Sequence, residues 1–148
     1  MLAYVVAIMS GMSGAGVKLT YEDFLLLPDD GKRHELIDGE HYVTPSPSDE
    51  TSTYLRKPPL ADAFLSRGAP GWRSALRAAR HRLSNFDVVE PDLLYLSHER
   101  GKTVITEKHA RGAPELVIEI ASKGTRKRDE TIKRRLYERS GVDEYWVL

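Results

Sequence analysis

Pro114-Glu115-Leu116-Val117-Ile118-Glu119-Ile120-Ala121-Ser122 is an apolar, β-branched run of strand length, opened by Gly112-Ala113 and closed by Lys123-Gly124. Strand side chains alternate between faces, so Leu116, Ile118 and Ile120 point one way while Glu115, Val117 and Glu119 point the other. A run this apolar predicts a buried strand. An ionised carboxylate is costly to bury unless a cation or hydrogen-bond donors compensate it, so Glu115 and Glu119 call for a partner. A divalent metal is the simplest candidate.

Downstream, residues 126–140 read as a helix, with Gly141 suited to the left-handed position that stops it. The aromatic and β-branched segment Asp143-Glu144-Tyr145-Trp146-Val147-Leu148 then reads as a last strand. Strand, helix and strand in that order make a βαβ crossover, which predicts an α/β fold with a mixed sheet and helices on its faces. Upstream, strand signals run from Asp87 to Leu96 and include a third carboxylate, Asp92. Pro91 cannot donate a ladder hydrogen bond, so it marks an edge or a strand entry. A turn is expected over 99–102, with residues 103–106 extending or pairing.

The N-terminal part is also punctuated. Thr20 with Asp23 three residues later reads as a capped start to a short helix that Pro28, Asp29, Asp30 and Gly31 stop. The segments His34-Glu35-Leu36-Ile37 and Glu40-His41-Tyr42-Val43 flank Asp38-Gly39, the pair that tolerates the positive φ values of a type I′ turn, and predict a β-hairpin. From Glu50 to Arg82 no strand period appears. Helices around residues 60–66 and 72–83 are the expectation there.

The 148-residue chain has 41% hydrophobic residues, enough for one domain with a single core. We expect residues 1–17 to form a disordered extension and 18–148 one domain with an irregular 50–82 segment. Lys+Arg and Asp+Glu both number 22, but residues 1–50 hold 3 basic and 9 acidic residues, which leaves the remainder positive and compatible with an anion-binding face. The absence of cysteine excludes a disulfide framework and a thiolate zinc site and makes the cytoplasm the expected compartment. The apolar run at residues 2–9 is too short for a membrane span. His34, His41, His81, His98 and His109 show no zinc-ligand spacing, and no phosphate loop, nucleophile elbow or redox pair is present.

Four segments together resemble a known family: Arg33-His34-Glu35-Leu36-Ile37-Asp38-Gly39-Glu40, Val89-Glu90-Pro91-Asp92-Leu93, Gly112 to Ile120, and Lys133 to Tyr137 with Gly141-Val142-Asp143-Glu144-Tyr145-Trp146. In that order they resemble the Uma-two family, a bacterial group described as nucleases of the restriction-endonuclease-like PD-(D/E)XK fold. The resemblance covers roughly residues 18–50 and 84–148.

The resemblance implies a restriction-endonuclease-like mixed sheet flanked by helices and a phosphodiester hydrolase acting on DNA. Asp92 and Glu119 would bind Mg²⁺ or Mn²⁺, ions that hard carboxylate oxygens select and that activate water and stabilise charge at phosphorus. Glu35 resembles an additional acidic position of the family, and Glu115 stands where the family usually has Asp, as metal ligand or supporting group. The motif lysine is absent at Ala121. Lys133 is the chosen substitute, ahead of Lys127 and Lys123, because it shares a helix face with Tyr137 and with Asp129. The 126–139 helix carries seven basic and three acidic residues, so Arg126, Lys127 and Arg134 are candidate phosphate contacts. Such nucleases often dimerise to cut both strands, so a second copy of the chain is among the expected partners.

Two departures point to a rival reading. The stretch 61–82 holds six alanines and five arginines where the family has a helix and alternating strands, as if a coding sequence had been read out of frame, and the family usually continues past Leu148 with more strand. The rival is therefore an inactive, truncated or frameshifted remnant that binds or oligomerises. A plain structural domain with charged strand ends predicts neither metal nor DNA affinity.

Overall fold

The computed structural model describes residues 17–44, 72–77, 80–104 and 110–148. Thr20 opens the first described helix, α1 (Tyr21–Phe24), with a complete capping box: Asp23 N donates to Thr20 Oγ1 and Thr20 N to Asp23 Oδ2. The hairpin of β1 (Arg33–Ile37) and β2 (Glu40–Thr44) turns through Asp38 and Gly39 at φ of 55° and 77°, the type I′ geometry expected from that pair.

Gly39 also faces a close neighbour. A Cβ at this position would lie 2.5 Å from Lys18 Cβ and 3.0 Å from Lys18 Cα, neither of which is the free end of a side chain. Gly39→Ala is therefore expected to cost about 1–3 kcal/mol, read as a drop in the urea midpoint without a change in slope. An unchanged midpoint would mean that the 17–20 segment is not seated on the hairpin.

Beyond the hairpin come β3 (Trp72–Arg77), β4 (His81–Arg82), β5 (Val88–Val89) and β6 (Leu93–Ser97). After them lie α2 (His98–Val104), β7 (Ala110–Arg111) and β8 (Leu116–Glu119). A continuous helix then runs through α3 (Arg126–Arg128), a π-helical turn (Asp129–Lys133) and α4 (Arg134–Arg139), before β9 (Glu144–Val147). The described strands form two sheets, in the orders β2-β1-β5-β4-β7 and β3-β6-β8-β9. β8 and β9 pair in parallel across the helix, as the βαβ reading requires, and β4 pairs in parallel with β7.

Several expectations give way. The expected α/β architecture with mixed sheets and helices is present, but the predicted strand 87–96 breaks at Pro91, so that β5 joins the first sheet and β6 the second. Proline cannot carry a ladder across that point. The helix expected over 72–83 is replaced by β3 and β4, with β3 paired antiparallel to β6 from Trp72↔Ser97 to Arg77↔Leu93. Here the open edge of β6 overrides the helix preference of an Ala- and Arg-rich segment. The turn expected over 99–102 is helix α2, since Ser97 Oγ accepts from Arg100 N as an N-cap would. Thr103 belongs to the same helix, and residues 105–106 lie outside the described residues, as do the helix expected at 60–66 and most of the 50–82 tract.

One core joins both sheets and the long helix: Ile37, Val89, Leu94, Leu96, Val104, Val117, Leu136 and Tyr137. A smaller one, Phe24, Leu36 and Val88, lies on the other face of the first sheet under α1. The split follows strand alternation, which sends Leu36 to one core and Ile37 to the other, and likewise Val88 and Val89. Asp87 ties the hairpin tip to the helix end. Its carboxylate accepts from Asp38 N at 2.8 Å, Ser84 Oγ at 2.7 Å and Arg139 Nη2 at 2.6 Å. No described helix is long and apolar enough to cross a membrane.

His81 is buried on β4 and donates from Nε2 to the Gly112 carbonyl, which leaves Nδ1 without a partner among the described residues. Burial lowers its pKa below the usual 6.5 despite that hydrogen bond. The unfolded chain thus takes up a proton near pH 6.5 that the folded chain refuses, and the stability His81 contributes above that pH is lost as pH falls. Urea midpoints are expected to decline below pH 6.5, and His81→Gln to flatten that part of the decline.

Candidate active site

Asp92 and Glu119 meet because β6 and β8 are antiparallel in the register Leu93↔Ile118 and Leu94↔Val117, which carries Asp92 beside Glu119 one step further along. Both face the larger core, Asp92 sharing strand parity with Leu94 and Leu96 and Glu119 with Val117. Glu35 reaches the same place from the first sheet, on the face of β1 that carries Ile37. All three are at most 3% exposed.

The helix supplies the cation. Lys133, 3% exposed, places Nζ 2.8 Å from Glu35 Oε1 and 2.9 Å from Glu119 Oε1, with Asp129 Oδ1 at 3.9 Å. Tyr137 OH donates to the same Glu119 oxygen at 2.9 Å. The π-helical turn at Asp129–Lys133 widens the helix where Lys133 enters the carboxylates, a distortion frequent at functional sites. Its start is fixed by Ser122 and Thr125, each of whose side-chain oxygens accepts from the other's backbone N–H. Its end is a Schellman motif: Val142 N donates to the Tyr137 carbonyl and Gly141 N, at φ 81°, to that of Glu138.

Two arginines complete the cluster. Arg33 Nη1 donates to Asp92 Oδ1 at 2.7 Å, and the other Asp92 oxygen accepts from Ile120 N at 2.8 Å. Arg128 Nη2 lies 3.8 Å from Glu35 Oε2, donates to Thr44 Oγ1 at 3.1 Å, and packs its guanidinium over the Tyr42 ring. Glu35 Oε1 also accepts from Glu90 N at 3.1 Å, while Oε2 is buried without a hydrogen bond among the described residues.

Burial raises the Glu119 carboxyl to about 7; Lys133 opposes that shift, and Glu35 and Asp92 reinforce it. Burial alone would lower Lys133, but the charges of Glu119 and Glu35 outweigh it and hold the ammonium above its ordinary range. Burial also raises Asp129, and lifts Tyr137 well above the usual phenol value with Glu119 adding to the effect. The site therefore holds a firmly protonated lysine against a carboxyl that burial has raised.

The donor chemistry suits a hard divalent cation. Carboxylate oxygens converge from three strands, and Glu35 Oε2 is a buried oxygen lacking a hydrogen bond. In the geometry described, Arg33 and Lys133 neutralise these carboxylates, and among the described residues no three acidic or histidine groups stand at metal-holding spacing.

The profile of a protein family described as "Putative restriction endonuclease", Uma2, matches residues 21–148. This chain belongs to the Uma2 family. The matched span contains every member of the cluster. Among solved structures, the crystal structure of "a putative nuclease belonging to DUF820" from Anabaena variabilis is similar at a TM-score of 0.64 and 21% identity, over 87% of this chain and 73% of that one. The fold is thus of the restriction-endonuclease-like class. No curated protein matches.

Of the residues singled out from the sequence of this Uma2 chain, Glu35, Asp92, Glu119 and Lys133 come together. Glu115 does not join them. It lies at the opposite end of β8, accepting from Ser97 N at 3.0 Å and facing Arg100 at 3.7 Å, which also pairs with Asp143. Alternation puts Glu115 and Glu119 on one face, but four residues of strand separate them by about 13 Å. Arg126 is exposed and paired with Glu130, while Lys123, Lys127 and Arg134 are exposed on the surface. Arg33 and Arg128 were missed as site residues. Strand parity with Glu35 was a usable signal for Arg33; Arg128 had none beyond its place in a basic helix.

Proposed function

We propose that this chain is a metal-dependent endonuclease that hydrolyses DNA phosphodiester bonds. The observation that carries the reading is the convergence of Glu35 and Glu119, from strands of two sheets, on the buried ammonium of Lys133, with Asp92 beside Glu119 by strand register. Asp92 and Glu119 would hold Mg²⁺ or Mn²⁺, which would polarise a phosphoryl oxygen and lower the pKa of bound water. Lys133 supplies positive charge where negative charge builds up on the phosphoryl oxygens, and its elevated pKa keeps that ammonium in place at neutral pH. Glu35 and Tyr137 are positioning residues: the first anchors Nζ from the opposite sheet, the second fixes the Glu119 carboxyl. In the reaction, water adds to phosphorus, one P–O ester bond breaks, and the leaving oxygen takes up a proton. A cytoplasmic setting accords with the cysteine-free sequence, and cutting both strands of a duplex would use a second copy of the chain.

A second reading, a DNA-binding module without catalysis, is favoured by one feature. Both Asp92 oxygens are already engaged, by Arg33 and by Ile120 N. The test is nicking of supercoiled plasmid by the purified chain in Mg²⁺ or Mn²⁺, with chelator and with Glu119→Gln as controls. Nicking that both controls abolish is expected. Plasmid binding with no nicking in either metal would favour the binding module.

A further inference from the structure

We propose that Arg33 and Arg128 form a phosphate-binding pair at the outer edge of the carboxylate cluster. As a statement about DNA this rests on the nuclease reading. As a statement about anion binding it stands on geometry alone.

Thr44 connects the two arginines in the fold. Arg33 is the cross-strand partner of Thr44 in the hairpin, and Thr44 Oγ1 accepts from Arg128 Nη2. Each arginine is held by part of its donor set and leaves another part unspent. Arg33 uses Nη1 on Asp92, and its Nη2 is buried with no hydrogen-bond partner among the described residues. Arg128 uses Nη2 on Thr44, and its Nε is likewise buried without one. An unsatisfied buried donor carries a desolvation penalty that an acceptor oxygen would relieve.

Their place in the cluster sets the class of ligand. The side chains of Arg33 and Arg128 are 14% and 17% exposed, against 4% for Lys133 and Glu119. An incoming anion therefore meets these arginines before it meets the buried lysine. The planar guanidinium fork matches the tetrahedral oxygens of phosphate, and two such forks at one edge of the cluster can present donors to two oxygens of one group. Asp92, the Tyr42 ring and Thr44 hold the two in position before any ligand arrives. The shared chemistry is a phosphate group; a DNA backbone and free phosphate are its two sources.

Two probes on the full-length chain separate these sources: inorganic phosphate, read as a rise in Tm, and a labelled DNA duplex in chelator, read by anisotropy across a salt series. Arg128→Gln is the main variant, because Glu35 keeps Lys133 when Arg128 is lost. Arg33→Lys retains a cation for Asp92 and guards against misfolding, and Lys102→Gln on α2 calibrates the loss of an ordinary surface charge. In the wild type, phosphate is expected to raise Tm and DNA to bind. Arg128→Gln is expected to lose the phosphate response, weaken DNA binding by roughly tenfold or more, and lower the salt slope by about 1. A phosphate response that Arg128→Gln abolishes, with no DNA binding in the wild type, upholds the pair and sinks the DNA reading. DNA binding in which Arg128→Gln and Arg33→Lys match Lys102→Gln, with no phosphate response, overturns the pair and leaves the nuclease reading intact. The absence of both responses overturns both.

Discussion

Lys133→Met is expected to lower folding stability at pH 7 by about 3–5 kcal/mol, the cost of leaving buried charge without its partner. Glu35 and Glu119 lose an ammonium at 2.8 and 2.9 Å, and neither is more than 3% exposed, so water cannot replace it. Methionine fills nearly the same volume, so the loss reports charge rather than a cavity. The measurement is urea unfolding followed by circular dichroism. Adding Glu119→Gln is expected to recover part of the loss, because the carboxyl that burial already raises to about 7 would then be neutral at every pH. A single-variant loss below about 1 kcal/mol, the scale of an exposed ion pair, would mean that solvent reaches this lysine.

The second large effect is expected at Asp92. Asp92→Ala removes the acceptor for Arg33 Nη1 and for Ile120 N together, an expected cost of about 2–4 kcal/mol because two donors are left unmet. Asp92→Asn keeps the shape and an acceptor oxygen, and its expected cost is about 1–2 kcal/mol, since only the charge pairing with Arg33 is lost. On the nuclease reading both variants lose metal-dependent cleavage by about a thousandfold or more, because neither supplies the anionic oxygen that would bind a divalent cation tightly, whatever their stabilities. Plasmid nicking measured beside urea midpoints separates the roles. Activity that falls in proportion to stability, with Asp92→Asn largely active, would make Asp92 a purely structural acid.

Much of the site was legible because local patterns specify it. The Asp38-Gly39 turn fixes the hairpin register and hence the face of Glu35, and the helix and glycine stop after β8 fix the parallel β9. Tyr137 and Lys133 share a helix face by spacing alone, and both reach Glu119. What spacing cannot give is position along a strand: Glu115 has the right parity and stands at the wrong end. Nor could it give Arg128, whose contact with Thr44 spans 84 residues and depends on how helix and hairpin dock. The failure over 72–77 has the same root, since pairing with β6 is decided by a neighbour distant in sequence rather than by the composition of the segment.

The Asp87 carboxylate has a mechanical consequence. It binds a backbone N–H at the hairpin tip, a serine in its own β4–β5 loop and an arginine in the last turn of α4, so the segments that carry Glu35 and Lys133 are two sides of a braced triangle. A braced frame does not hinge. Hairpin and helix must breathe together or stay shut, so a guest that enters this site meets arginines already set at its rim.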